Sequence, residues 1–129
     1  MTYVVDTSVL IDHLRGDPRA QRLLTRALRS RRRRLTASPM TKVEILAGMR
    51  ASEEETTRKL LGTIEWIPVD DPIAERAGLL ARRHLRAHPG VDPVDYVIAA
   101  TTEALGGQLW TRNVKHFPMF PELRAPYPP

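Results

Sequence analysis

Tyr3-Val4-Val5-Asp6-Thr7-Ser8-Val9-Leu10-Ile11-Asp12 is the stretch on which the fold turns. Its first three residues are aromatic or β-branched with nothing polar among them, as in a short strand covered on both faces. The run stops at Asp6, and Thr7 to Leu14 reads as a helix ending near Gly16. The same alternation recurs outward from it. Leu35-Thr36-Ala37, Ile64 to Val69 and Gln108 to Thr111 read as further strands.

Helices fill the intervals. One opens at Pro18 and presents Ala20, Leu23, Leu24, Ala27 and Leu28 at helical spacing. Ser38-Pro39 starts another, running towards Gly48. Ser52 with Glu55 has capping-box spacing for a third, to about Leu61. Asp71-Pro72 opens a long helix with Ile73, Ala77, Leu80, Ala81 and Leu85 inward. Asp92-Pro93 opens the last, which Gly106-Gly107 stops. This order predicts an α/β fold: a central parallel sheet of four to five short strands flanked by helices, in one domain over 1–129. Residues 118–129 hold five of the 11 prolines, so they cannot be helical and form a wrapping or frayed tail.

The chain has 129 residues, 20 Lys+Arg against 15 Asp+Glu, and a net charge of +5. A basic balance favours polyanionic partners. With no cysteine, disulfides, zinc-thiolate sites and Cys nucleophiles are excluded, and any metal takes oxygen or imidazole ligands. The N-terminus lacks the pattern of a signal peptide, and no stretch approaches the roughly 20 apolar residues of a membrane span. A cytoplasmic protein with no membrane association is expected.

Asp6, Glu44 and Asp95 stand where strands stop or helices start. Right-handed crossovers bring such positions to one edge of a parallel sheet, the edge where open α/β folds bind ligands. Carboxylates gathered there repel one another unless a cation sits among them, and magnesium or manganese favours such oxygen donors. Each acid also has a local alternative. Asp6 can cap the helix after it, Glu44 lies three residues after Thr41, and Asp95 lies three after Asp92. His84 and His88, four apart, read as residues of a core helix, because no HExxH pattern accompanies them.

Four stretches together resemble one family. Val4 to Asp12 resembles the opening of PIN-domain ribonucleases, and Thr41-Lys42-Val43-Glu44-Ile45-Leu46-Ala47-Gly48 resembles their second motif. Asp95 to Thr101 resembles the third, and Thr111-Arg112-Asn113-Val114-Lys115-His116-Phe117 the fourth. The likeness spans Val4 to Phe117, and the compact length is similar to VapC-type toxins of toxin–antitoxin modules. It implies a metal-dependent endoribonuclease using Mg2+, with Mn2+ as substitute. Asp6, Glu44 and Asp95 would be the catalytic metal-binding acids, and Ser8, Thr111 and Asn113 would support them. Many members carry a further acid near the fourth motif, where this chain has Asn113. An amide adds no negative charge, so one cation is expected in the free protein. The resemblance also implies a homodimer, a cognate VapB-type antitoxin whose tail lies over the active edge, and a structured RNA substrate, transfer or ribosomal. Met40, Met49, Leu60 and Leu61 are apolar residues on the middle helices that could serve such contacts, although core packing is the expected fate of most of them.

Arg112 and Lys115 flank the expected active edge and are candidates for RNA binding. Arg31, Arg32 and Arg33, in the run from Arg29 to Arg34, are others, unless they simply neutralise a helix end. At 5% aromatic residues a base-stacking platform is not expected. A dehalogenase-like phosphatase needs a second acid two residues after the first, where Ser8 stands. The remaining alternative is a PIN-like binding module with weak or no catalysis, which Asn113 keeps open.

Overall fold

A computed structural model describes residues 1–129. Four strands, β1 (Thr2–Val5), β2 (Arg34–Ala37), β3 (Glu65–Trp66) and β4 (Gln108–Trp110), form one sheet in the order β3-β2-β1-β4. Every pairing is parallel, with Val4 opposite Thr36 on one side and Leu109 on the other. Six helices make the connections that parallel strands require: α1 (Thr7–Leu14), α2 (Pro18–Arg29), α3 (Pro39–Gly48), α4 (Glu54–Leu61), α5 (Asp71–His84) and α6 (Pro93–Leu105).

Alternation along each strand divides the core in two. Tyr3, Val5, Leu35, Ala37 and Trp110 pack with Leu10, Leu24, Ile45 and Leu60 from α1 to α4. Val4 and Leu109 pack with Ile73, Leu80, Tyr96 and Ile98 from α5 and α6. Both faces are therefore covered, which is why the strands read as unbroken apolar runs. Helix α6 ends at Gly106 in the left-handed region (φ 58°). Directly after it, a Cβ on Gly107 would come within 3.1 Å of the Thr2 carbonyl oxygen.

Several sequence expectations shift. The third strand pairs only at Glu65–Trp66. Ile67 N–H still donates to the Ala37 carbonyl (3.0 Å), but Pro68 has no N–H to continue the ladder. The chain enters α4 through Glu53, not through a capping box of Ser52 with Glu55: the Glu53 carboxylate accepts from Arg50 N–H (2.8 Å), and a 3-10 turn over Ala51–Glu53 leads into the helix. Leu28 and Leu85 are exposed rather than inward, Leu85 because α5 has already ended at His84. His88 is therefore not on that helix. Leu60 and Leu61 pack in the core, the fate expected for most of the apolar residues on the middle helices.

The proline-rich tail wraps the domain. Segment Met119 to Leu123 flanks the edge strand β4, and Phe117 and Tyr127 are buried. Tyr127 donates its hydroxyl proton to Asp12 Oδ2 (2.6 Å), while the Arg19 guanidinium lies 5.1 Å from its ring centre and donates to the Pro128 carbonyl. No helix is long and apolar enough to cross a membrane.

Candidate active site

The strand order places a switch point between β1 and β4, because β1 leads through β2 to β3 on one side while β4 joins on the other. Crevices at such points, beyond the strand C-termini, are where open α/β sheets bind ligands. Asp6 sits there, its N–H donating to the Trp110 carbonyl at 2.9 Å. It occupies the N-cap position of α1, yet its side chain makes no capping bond. Its Oδ2 instead accepts from Thr111 Oγ1 (2.7 Å) and, more weakly, from Ser8 Oγ (3.4 Å). The two hydroxyls are held in turn: Ser8 Oγ accepts from Arg112 N–H (3.1 Å), and Thr111 Oγ1 from Asn113 N–H (3.0 Å). Asp6 is only 4% exposed and has no basic side chain in ion-pair contact, an expensive state for an isolated carboxylate.

Glu44 is not a capping residue either. Ser38 caps α3 through Met40 N–H (3.2 Å), and the Glu44 carboxylate accepts from Thr7 Oγ1 at 2.7 Å. This ties Glu44, itself exposed, to the residue next to Asp6.

For Asp95 the capping alternative holds. Its Oδ2 accepts from Asp92 N–H (3.1 Å) while Asp92 Oδ1 accepts from Val94 N–H (2.9 Å). The same Oδ2 lies 3.4 Å from His116 Nδ1. Oδ1 makes no hydrogen bond within the protein, so capping does not exhaust this carboxylate. Burial pushes Asp95 above the usual carboxylate range; the Asp92 N–H and His116 oppose the shift, and the nearby charge of Asp6 adds to it. Asp6 and Asp95 therefore sense one another, as two carboxylates sharing a site do. Asp92, the N-cap itself, is exposed and committed to its helix.

No three His, Asp or Glu side chains anywhere in the chain stand close enough to enclose an ion by themselves. The arrangement is two interacting carboxylates with free oxygens and a third tethered through Thr7. Such a donor set fits magnesium, which keeps most of its waters and uses few carboxylates. Asn113 is exposed, and its side chain makes no hydrogen bond.

Sequence reasoning passed over Asp12 and Thr7. Asp12 is buried and accepts from Arg112 Nε at 2.7 Å as well as from Tyr127. Its signal lay in the four-residue spacing from Ser8, which puts both on one side of α1. Of the RNA-binding candidates, Arg112 is partly committed to Asp12, and Lys115 is exposed and unpaired. Arg31, Arg32 and Arg33 do not reach this edge. Met1 N donates to the Arg32 carbonyl (2.7 Å) and Arg34 N–H to the Met1 carbonyl (2.8 Å), so the run lies at the N-terminal ends of β1 and β2.

Comparison with known proteins agrees with the architecture. The PIN domain family model matches residues 3–118. The chain is 42% identical over 124 residues to Ribonuclease VapC19 of Mycobacterium tuberculosis, covering 96% of this chain and 98% of that protein. It is 40% identical to Ribonuclease VapC10 of the same organism, over 96% of this chain and 92% of the relative. A toxin–antitoxin complex from Klebsiella pneumoniae superposes with a TM-score of 0.79 at 28% identity, covering 97% of this chain and 98% of its counterpart. The DNA-bound VapBC structure from Salmonella typhimurium also gives 0.79, at 20% identity over 97% and 96%, and shares the fold. With its sheet, its switch-point carboxylates and its near-complete likeness to these ribonucleases, the chain belongs to the PIN-domain family, among the VapC ribonucleases.

Proposed function

We propose that this chain is a Mg2+-dependent endoribonuclease that hydrolyses RNA phosphodiesters, with Mn2+ as a working substitute, and is the toxin of a toxin–antitoxin pair. The observation that supports this most is 42% identity to a named ribonuclease over almost the whole length. The buried Asp6 carboxylate, without a basic partner, is the chemical feature such an activity needs. Asp6, Asp95 and Glu44 would hold the ion. When bound, a divalent cation supplies an acidified water and neutralises charge on the phosphoryl oxygens.

The chain's own residues do the rest. Thr111 and Ser8 fix the Asp6 side chain through the bonds to Oδ2 and leave Oδ1 free. Thr7 holds Glu44 beside them. Lys115 and Arg112 flank the edge and pair with the phosphates on either side of the cleaved bond. Removing a partner that orients a metal-binding side chain typically costs 10–100-fold in metal affinity or activity. Thr111→Val is therefore expected to lower cleavage by roughly that factor, read in a discontinuous assay at saturating Mg2+.

The substrate is a structured RNA, transfer or ribosomal, met in the cytoplasm, and the protein works as a homodimer under a VapB-type antitoxin. Beside Glu44 a cleft of about 270 Å³, lined by Ile11, Leu14, Ile45 and Met49 with Arg15 and Arg50, offers an amphipathic antitoxin segment a seat. Magnesium-dependent cleavage of total RNA, abolished by EDTA, tests the activity; no cleavage of any RNA would favour the binding-module reading that Asn113 suggests. Manganese calorimetry on the RNA-free protein should give a single tight site, because Asn113 adds no charge to the acids. Two tight sites would reject this stoichiometry.

A further inference from the structure

The positive charge of this protein is local. From Pro18 to Val43 there are eight arginines and Lys42 without one Asp or Glu, so the rest of the chain has a net charge of −4 against the total of +5. Arg22, Arg26 and Arg29 lie along one exposed side of α2, separated by ~6 and ~4.5 Å along the axis at the helical rise. Arg31, Arg32 and Arg33 continue the patch, also exposed. None of these six guanidinium groups is in an ion pair; within the acid-free stretch only Arg19 and Arg34 are, with Asp17 and Glu65. Two adjoining shallow hollows share Arg26 and Arg29, one completed by Arg33 and Ser30, the other by Arg22, Gln21 and Thr25.

A helix C-terminus accounts for cations in its last turn, here Arg26 and Arg29. It does not account for Arg22 in the middle of the helix, nor for the run beyond its end. Like charges four residues apart destabilise a helix, and no carboxylate offsets this row. A polyanion would. The Arg31–Arg33 run lies at the N-terminal ends of the strands, across the sheet from Asp6 by about the ~13 Å length of a four-residue strand, and the α2 arginines extend the patch from there along the helix.

We propose that this face is a second RNA contact, which grips the phosphate backbone of a folded RNA while the active edge cuts it. The proposal rests on the ribonuclease reading and narrows its substrate class to RNAs large enough to span both surfaces. Arginine forks suit phosphate oxygens. The face carries no exposed aromatic ring, since Tyr3 is buried with Arg33 above it at 5.9 Å. It therefore follows backbone rather than stacked bases.

The test compares R22Q/R26Q/R29Q with the wild type as full-length, metal-free proteins binding total bacterial transfer RNA, by fluorescence anisotropy across a salt series. Binding is read without cleavage, so failure of the ribonuclease reading and failure of this one are separable. The variant is expected to bind about 10-fold or more weakly near physiological salt, with the slope of log affinity against log salt shallower by about 2. R22K/R26K/R29K should retain the wild-type slope, and cleavage of a short single-stranded RNA in Mg2+ should be unchanged in both variants. Unchanged affinity of the glutamine variant for transfer RNA would overturn the proposal. So would an equal loss of activity on the short RNA, or a loss of affinity confined to a duplex DNA probe.

Discussion

Asp6→Asn is expected to reduce magnesium-dependent RNA cleavage by roughly 10^3-fold or more, about 4 kcal/mol of barrier, while Tm in EDTA stays the same or rises. The side chain keeps its shape, and an amide oxygen still accepts from Thr111 and Ser8, so the local fold survives. The negative charge that would bind a cation is lost. In the metal-free protein that charge is a burden, because Asp6 is buried without a basic partner and raises the pKa of Asp95. The pH dependence follows in sign. The folded pKa of Asp95 lies above its unfolded value, mainly through burial. Its contribution to stability is therefore full below the unfolded pKa and is lost as pH rises through the folded one. Removing the Asp6 charge narrows that window without closing it, since burial remains. Urea midpoints in EDTA from acid to neutral pH should show a smaller decline for the variant than for the wild type. Activity within 10-fold of wild type would remove Asp6 from the centre of the mechanism.

Asp12→Ala is expected to cost about 3 kcal/mol, the largest loss of stability for a single polar side chain here. Asp12 Oδ2 accepts both the Tyr127 hydroxyl and Arg112 Nε, at 2.6 and 2.7 Å. Bonds to a charged acceptor contribute roughly 1.5–3 kcal/mol each, discounted for Arg112 because its side chain is partly exposed. Alanine leaves the Tyr127 hydroxyl buried without an acceptor and releases the end of the tail. Tyr127→Phe, which spares Arg112, should cost about 1.5–2 kcal/mol. The phenol gives a separate signature. Burial and the Asp12 bond raise the Tyr127 pKa, so its stabilising effect is intact below the unfolded value, near pH ~10, and declines above it. The wild type should lose stability more steeply than Tyr127→Phe in that alkaline range, measured by urea midpoint at constant m. Losses below about 0.5 kcal/mol for both variants would mean the tail is not anchored at Asp12.

Much of the molecule is legible in the chain itself. Strand–helix alternation is a local property of apolar periodicity, so the parallel sheet and the helix starts at Pro18, Pro39, Asp71 and Pro93 are readable from neighbouring residues alone. The errors were local competitions. Glu53 took the capping role assigned to Glu55, and Pro68 shortened a strand that composition alone would extend.

The sequence by itself determined the fold class, the family and the candidate acids, because apolar spacing and motif order are written along the chain. It could not separate the acids from their capping alternatives. Only the tertiary structure showed that Asp6 leaves α1 uncapped to meet Thr111 and that Glu44 turns to Thr7. It also showed that Asp95 both caps its helix and keeps one oxygen free. It likewise decided that Arg31 to Arg33 face away from the active edge and that the proline tail is pinned at Asp12. The pairings of Glu44 with Thr7, Asp6 with Thr111 and Asp12 with Tyr127 join residues 37 to 115 positions apart. Local propensity carries no information across such distances; the closure of the sheet supplies it.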